Sequence, residues 1–143
     1  MLFNDLRTGI ELLKRLYERS MEPVCERHGL THMELDVLMF LTNNPGLDTA
    51  SDLAGIHMMS KSHISASVNS LTERGLLERV YRNGNRKTAH LTPLPTAGPI
   101  IADGLDAQRA FCTTLCGDIP PAEIDALGRV AGLILQNLQN ALR

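Results

Sequence analysis

The stretch Leu47–Thr92 constrains the fold more than any other part of this 143-residue chain. Thr49–Gly55 reads as a short helix and Ser60–Arg74 as a second, with a sharp turn between them. Two short runs of β type follow, Leu76–Arg82 and Lys87–Thr92, joined at Asn83-Gly84. Asn-Gly favours a tight hairpin turn because both residues tolerate positive φ. Helix, turn, helix and hairpin in that order is the layout of a winged helix, a unit that lays its second helix into a DNA groove.

The helix ends in this stretch carry their own signals. Thr49 and Asp52 form an S/T-x-x-D box, in which each side chain can satisfy the other's free backbone N–H. Ser60 is a suitable N-cap for the second helix, and Gly75 closes it. Ile64, Val68 and Leu71 recur at i, i+4, i+7 and are expected to face inward. That leaves Lys61, Ser62, His63, Ser65, Ala66, Asn69 and Ser70 on the other faces.

The flanks read as helices. Over residues 4–28, Leu6, Ile10, Leu13, Tyr17, Met21 and Val24 recur at spacings of three and four, and His28-Gly29 ends the run. Thr31 and Glu34 form a capping box, with Leu30 and Leu35 as a hydrophobic staple. This next helix runs to about Thr42 and stops at Asn43-Asn44-Pro45-Gly46. Pro93, Pro95 and Pro99 break the chain before a helix over about Ile100–Gly117. After a second break at Asp118–Pro121, Ile124, Leu127, Ala131, Ile134, Leu138 and Ala141 step by threes and fours. Such a heptad-like seam suits another helix.

The expected architecture is mainly α with a small β-hairpin wing, a winged helix-turn-helix set into a helical dimerisation layer. Residues 1–143 form a single domain in this reading, with 1–30 and 100–143 as the dimerisation region and 31–98 as the winged helix-turn-helix. The seams could equally serve helices packed within one chain; the symmetry of paired DNA half-sites favours a homodimer.

Composition sets the outer bounds. The length suits one domain with a real core. Hydrophobic residues make up 43% and charged residues 21%, which is globular rather than disordered. With 3% aromatics and no Trp, the core must come from Leu, Ile, Val, Ala and Met. No apolar run has membrane length, so no membrane partner is expected. The start of the chain lacks signal-peptide character, and three cysteines, an odd number, fit a reducing compartment. A cytoplasmic protein is expected.

The net charge of −2 hides an asymmetry. Residues 61–90 carry Lys61, Arg74, Arg79, Arg82, Arg86 and Lys87 against Glu73 and Glu78, a local +4 on a remainder of −6. This suits local contact with a polyanion, and equally describes a solvated charged face.

Together these features resemble the multiple-antibiotic-resistance regulator (MarR) family of winged-helix repressors, over nearly the full length. Gly29-Leu30-Thr31 with Val37, Leu38 and Leu41 looks like the opening of the family's second helix. Ser51-Asp52-Leu53-Ala54 looks like its third helix, and Lys61-Ser62-His63-Ile64-Ser65 is similar to its recognition helix. Leu71–Arg79 resembles the helix end and first wing strand, and Asn85-Arg86-Lys87 with Leu91-Thr92 the wing tip and its exit. Asn85 stands where the family usually has Asp, Lys87 where a second Arg is common, and Ala66 where a long polar residue is frequent. These departures imply weaker wing insertion and reduced base readout. The connector Thr92–Gly98 looks longer than usual.

The resemblance implies a sequence-specific, ligand-responsive homodimeric repressor on double-stranded DNA, with a pseudo-palindromic operator. Ser62, Ser65 and Ser70 would donate to phosphates or base edges, His63 and Asn69 would reach bases beside Ala66, and Lys61 would neutralise a phosphate. Serine hydroxyls read sequence weakly. Most affinity would then come from phosphate contacts by Arg74, Arg82, Arg86 and Lys87, with Arg86 the strongest candidate. Arg79 and Glu78 could instead pair across the strand. A two-fold dimer would hold its recognition helices about 34–36 Å apart.

The resemblance further implies a pocket for a small aromatic or anionic effector. Met33, His57, Met58 and Met59 are candidate lining residues, because Met adapts to irregular apolar shapes; ordinary core filling is the alternative. Cys112 and Cys116 lie one helical turn apart, and Cys25, His28 and His32 cluster at an elbow. A redox pair, metal ligands and small buried hydrophobes all remain open, and no spacing is firm enough to assign a metal. No cofactor is implied. The chain has no P-loop, GxSxG, HExxH or dinucleotide glycine fingerprint, and Cys25 with His28 has no evident oxyanion site, so no enzyme is expected. The remaining alternative is a winged-helix dimer that acts through protein partners, or as a cysteine- or metal-based redox sensor with weak DNA binding.

Overall fold

The computed structural model describes residues 2–57 and 60–143. Helices α1 (Leu2–His28), α2 (His32–Asn43), α3 (Ala50–His57) and α4 (Lys61–Glu73) come first. Strands β1 (Leu77–Val80) and β2 (His90–Pro93) pair antiparallel. A 3-10 turn at Pro95–Ala97 leads into α5 (Gly98–Cys116), and α6 (Pro121–Ala141) follows. The chain divides into two compact units, Met1–Phe111 and Cys112–Arg143. The mainly α fold with a two-stranded wing is the expected one.

The core of the first unit is built around α2. Leu35, Val37, Leu38, Met39, Phe40 and Leu41 are all buried, so this helix is covered on most of its circumference. Met21 and Val24 of α1, Leu53 of α3, Ile64, Val68 and Leu71 of α4, Leu77 of β1 and Leu91 of β2 complete the cluster. Each such side chain contributes about 1.5–3 kcal/mol by leaving water. The apolar face of α1 divides along its length: Met21 and Val24 are in the core, whereas Leu6, Ile10 and Leu13 are exposed.

The caps form as their spacing dictates. Thr31 N–H donates to Glu34 Oε1 at 3.0 Å, and Glu34 N–H donates to Thr31 Oγ1 at 3.1 Å. Leu30 and Leu35, the staple residues, are both buried. The second box closes in the same way: Thr49 N–H donates to Asp52 Oδ2 at 3.0 Å and Asp52 N–H to Thr49 Oγ1 at 3.2 Å. Ser60 Oγ accepts the His63 N–H at 3.3 Å and starts α4. Gly75, at φ 70°, ends it.

The hairpin is shorter than the sequence suggests. Its register runs from Leu77↔Pro93 to Val80↔His90, and residues 81–89 lie outside the ladder. The tight turn is nonetheless present: Asn83 and Gly84 have φ of 53° and 71°, and Asn85 N–H donates to Arg82 O at 2.9 Å. Beyond it, Lys87 N–H goes to Asn85 Oδ1 at 2.9 Å rather than to a strand carbonyl. Residues 81–88 are all exposed, so no buried face holds them in register. Likewise α5 begins at Gly98 and not at Ile100, because Pro99 in a first turn gives up only an N–H that the helix would leave free.

In the second unit, Gly117 at φ 48° turns the chain and Ile119 N–H donates to Cys116 O at 2.9 Å. Pro121 opens α6, which has no buried residue. Leu127, Ile134 and Leu138 of its seam stand exposed. No described helix is long and apolar enough to cross a membrane.

Candidate nucleic-acid interface

Helix α4 turns one apolar edge inward and a polar face outward. Ile64, Ser67, Val68 and Leu71 are buried, while Lys61, Ser62, His63, Ser65, Ala66 and Asn69 are exposed. Ser62, Ser65, Ala66 and Asn69 share one face by their three- and four-residue spacing. The exposed wing places Arg82, Arg86 and Lys87 beyond the end of the strands. Arg86 and Lys87 have no side-chain partner among the described residues. The basic segment and the polar helix face are thus brought into the same winged unit.

Arg74, Ser70 and Asn69 of the expected set hold partners inside the fold, and so does Arg82. Arg74 donates from Nη1 to Gly29 O and from Nη2 to His28 O, both at 2.9 Å, and so caps the end of α1. The guanidinium expected to meet a phosphate thus donates to two backbone carbonyls of its own chain. Ser70 is half-buried and donates to Glu34 Oε2 at 2.8 Å, which takes its hydroxyl off the outer face. Asn69 keeps its exposed position, but its Oδ1 accepts from Arg79 Nη2. Arg79 therefore reaches α4 and does not pair with Glu78 across the strand.

Glu34 is the buried charge behind this arrangement, at 6% exposure. Burial works to raise its carboxyl, but the Thr31 N–H, the Ser70 and Thr31 hydroxyls and the Arg74 charge outweigh it. The net effect holds the group below the usual carboxylate range. Asp52 is held low too, chiefly by the N–H and hydroxyl of Thr49.

Two residues that sequence reasoning did not single out organise the base of the wing. Asp48, in the loop before α3, accepts from Arg82 Nη2 at 3.2 Å on Oδ2. Its Oδ1 lies 2.7 Å from His90 Nδ1, and its backbone oxygen accepts the Leu91 N–H at 2.8 Å. Asp48 and Arg82 are far apart in sequence, and no local periodicity connects them. The available signal was negative: Asn85 lacks the carboxylate that the resemblance leads one to expect in the wing, and the structure supplies one from the loop before α3.

A cleft of about 340 Å³ opens between α3, α4 and the wing. Lys61, Arg79 and Lys87 border it beside Ile64, Val68 and Leu91. A second, of about 440 Å³, lies along α1 and is lined by Leu12, Arg15, Leu16, Glu18, Arg19, Glu22 and His32. The half-buried Met33 lines neither. Met58, Met59 and the side chain of His57 lie outside the described residues.

The elbow cluster is not drawn together as a site. His28 Nε2 lies 2.7 Å from Asp103 Oδ2, which also accepts from Arg27 at 3.1 Å, so this histidine fastens α1 to α5. Cys25 is buried, and burial, followed by the Asp36 charge, raises its thiol. In the second unit Cys112 is exposed and Cys116 half-buried; all three thiols are free. No three His, Cys, Asp or Glu side chains among the described residues converge as metal ligands.

Comparison with known proteins agrees with this geometry. The MarR family model matches residues 28–87, which run from the end of α1 to the wing tip. No curated protein matches the chain. Among solved structures, a MarR-family transcriptional regulator from Silicibacter pomeroyi superposes with a TM-score of 0.82 at 16% identity, covering 96% of this chain and 92% of that one. A putative MarR-family regulator from Listeria monocytogenes, complexed with a 26mer DNA, gives 0.78 at 16% identity over 94% and 89%. Staphylococcus aureus MarR, in complex with salicylate and kanamycin, gives 0.76 at 17% identity over 98% and 94%. Residues 28–87 thus match the MarR family model, and the chain shares its fold with solved structures of MarR-family transcriptional regulators.

Proposed function

We propose that this protein is a transcriptional regulator: a homodimeric, cytoplasmic, ligand-responsive repressor that binds a pseudo-palindromic operator. The observation that carries the reading is the outward polar face of α4, Lys61 to Asn69, beside a wing on which the charged groups of Arg86 and Lys87 have no partner among the described residues. In this reading α4 enters the major groove, where Ser62, His63, Ser65 and Asn69 meet base edges and phosphates around Ala66. Arg86 and Lys87 hold the flanking backbone. Residues 31–98 act as the DNA-binding region, and the helices at 1–30 and 100–143 as the dimerisation layer. The exposed Leu6, Ile10 and Leu13 of α1 and the exposed seam of α6 support that assignment.

The effector is a small aromatic or anionic compound. The cleft beside α4 supports this class, since it combines the cations Lys61, Arg79 and Lys87 with apolar walls. The salicylate bound by the Staphylococcus aureus protein is of the same class. An occupant there would compete with DNA for Lys61 and Lys87. Sedimentation equilibrium with a palindromic duplex tests the assembly. Two protomers per duplex is the expected stoichiometry; one protomer per duplex at saturation would overturn the dimeric reading.

A further inference from the structure

We propose that Asp48, His90 and Arg82 form a proton-linked clamp at the base of the wing, so that DNA binding takes up a proton at His90. This rests on the DNA-binding reading above. Asp48 serves two partners at once: Oδ1 lies 2.7 Å from His90 Nδ1, and Oδ2 accepts from Arg82 Nη2 at 3.2 Å. The Leu91 N–H donates to Asp48 O at 2.8 Å, so backbone as well as side chains join the loop to β2. Asp48 and His90 are largely shielded, with side-chain exposures of 22% and 21%, whereas Arg82 is 57% exposed and open to a phosphate.

The charges facing His90 come from each element around it. Asp48 comes from the loop before α3, Asp52 from α3, and Arg82 from the wing by way of Asp48. Opposite His90 on β1 stands Val80, which has no charge. With His90 neutral, its Nδ1–H donates to Asp48, and the carboxylate remains a full counter-charge on Arg82. With His90 protonated, the imidazolium neutralises Asp48, and Arg82 is free to turn to a DNA phosphate. A phosphate drawn to Arg82 favours the protonated state in return, as linkage requires. Affinity therefore rises as pH falls through the histidine range. Asp48 acts as a positioning residue: it sets what Arg82 offers to DNA without touching DNA itself.

The test is fluorescence anisotropy of the full chain on a labelled mixed-sequence duplex at low salt, at about pH 6 and about pH 8. Wild type and His90→Gln are compared, because both keep His63 on α4 and its contribution cancels in the ratio. The wild type is expected to gain at least about threefold more affinity on acidification than His90→Gln. Asp48→Asn should bind as tightly at pH 8 as wild type does at pH 6, through its released Arg82. Equal pH dependence in wild type and His90→Gln would overturn the clamp. Absence of binding at both pH values would overturn the DNA-binding reading itself, and the clamp with it. NMR titration of the His90 ring in the wild-type protein needs no variant: its midpoint should move upward on adding the duplex, and an unmoved midpoint would overturn the proposal.

Discussion

Ser70 donates its hydroxyl to the buried carboxylate of Glu34 at 2.8 Å, and so ties the last turns of α4 to the first turn of α2. The same carboxylate closes the α2 capping box through the Thr31 N–H. One buried charge thus fixes both the start of the central helix and the seating of α4.

Glu34→Gln keeps the shape of this junction and removes its charge. We expect a loss of about 1–3 kcal/mol in urea unfolding at neutral pH. The pH dependence has a definite sign. The folded carboxyl lies below its unfolded value, so its contribution is fully present above the unfolded carboxylate pKa and is lost as pH falls through the folded one. The gap between wild type and variant should therefore narrow on acidification. A gap that stays constant from neutral pH into the acid range would contradict the assignment.

Arg74 and Arg86 should separate cleanly. Arg74→Ala uncaps two carbonyls at the end of α1 and should cost about 1–2 kcal/mol of stability, with the salt dependence of DNA binding unchanged. Arg86→Ala should leave stability alone, weaken binding to all sequences alike, and lower the salt slope by about 1. An Arg74→Ala protein of wild-type stability with a reduced salt slope would return Arg74 to the DNA surface.

Gly104 lies where α5 meets the buried Met39 of α2, and a methyl group there would overlap the Met39 sulfur. Gly104→Ala should destabilise by about 1–3 kcal/mol, because Met39 has little room to move in a filled core. In a double-mutant cycle with Met39→Ala, the Gly104→Ala penalty should shrink, since the obstructing sulfur is gone. Strict additivity of the two substitutions would mean that this contact does not set the packing.

The exposed seam of α6 is the proposed dimer surface, with Ile134 near its middle. Ile134→Glu would place a charge in that apolar face and should shift the protein to monomer in analytical ultracentrifugation, with little change in its helical circular dichroism. A variant that stays dimeric would move the interface elsewhere.

Local signals made the helices and their starts legible. Thr31 with Glu34, Thr49 with Asp52, and Ser60 each announce a cap within a few residues of sequence, and each forms as spaced. The turn at Asn83-Gly84 was legible for the same reason. The extent of the hairpin was not, because the exposed residues 81–88 carry no burial pattern that would fix where pairing stops. On the candidate surface, the outward face of α4 follows from Ile64, Val68 and Leu71 turning inward. The commitments of Arg74 to Gly29 and of Arg82 to Asp48 did not follow. A cation's sequence shows its charge, whereas its partner depends on chain segments brought close only by the fold.

In the proposed function, this winged unit reads DNA through α4 and holds it through the wing. Fluorescence anisotropy with duplex DNA from the protein's own upstream intergenic region, beside scrambled DNA of equal length at two salt concentrations, tests it most directly. Tight, salt-sensitive binding that prefers the upstream sequence is the expected result. Equal and weak binding to both duplexes would contradict it.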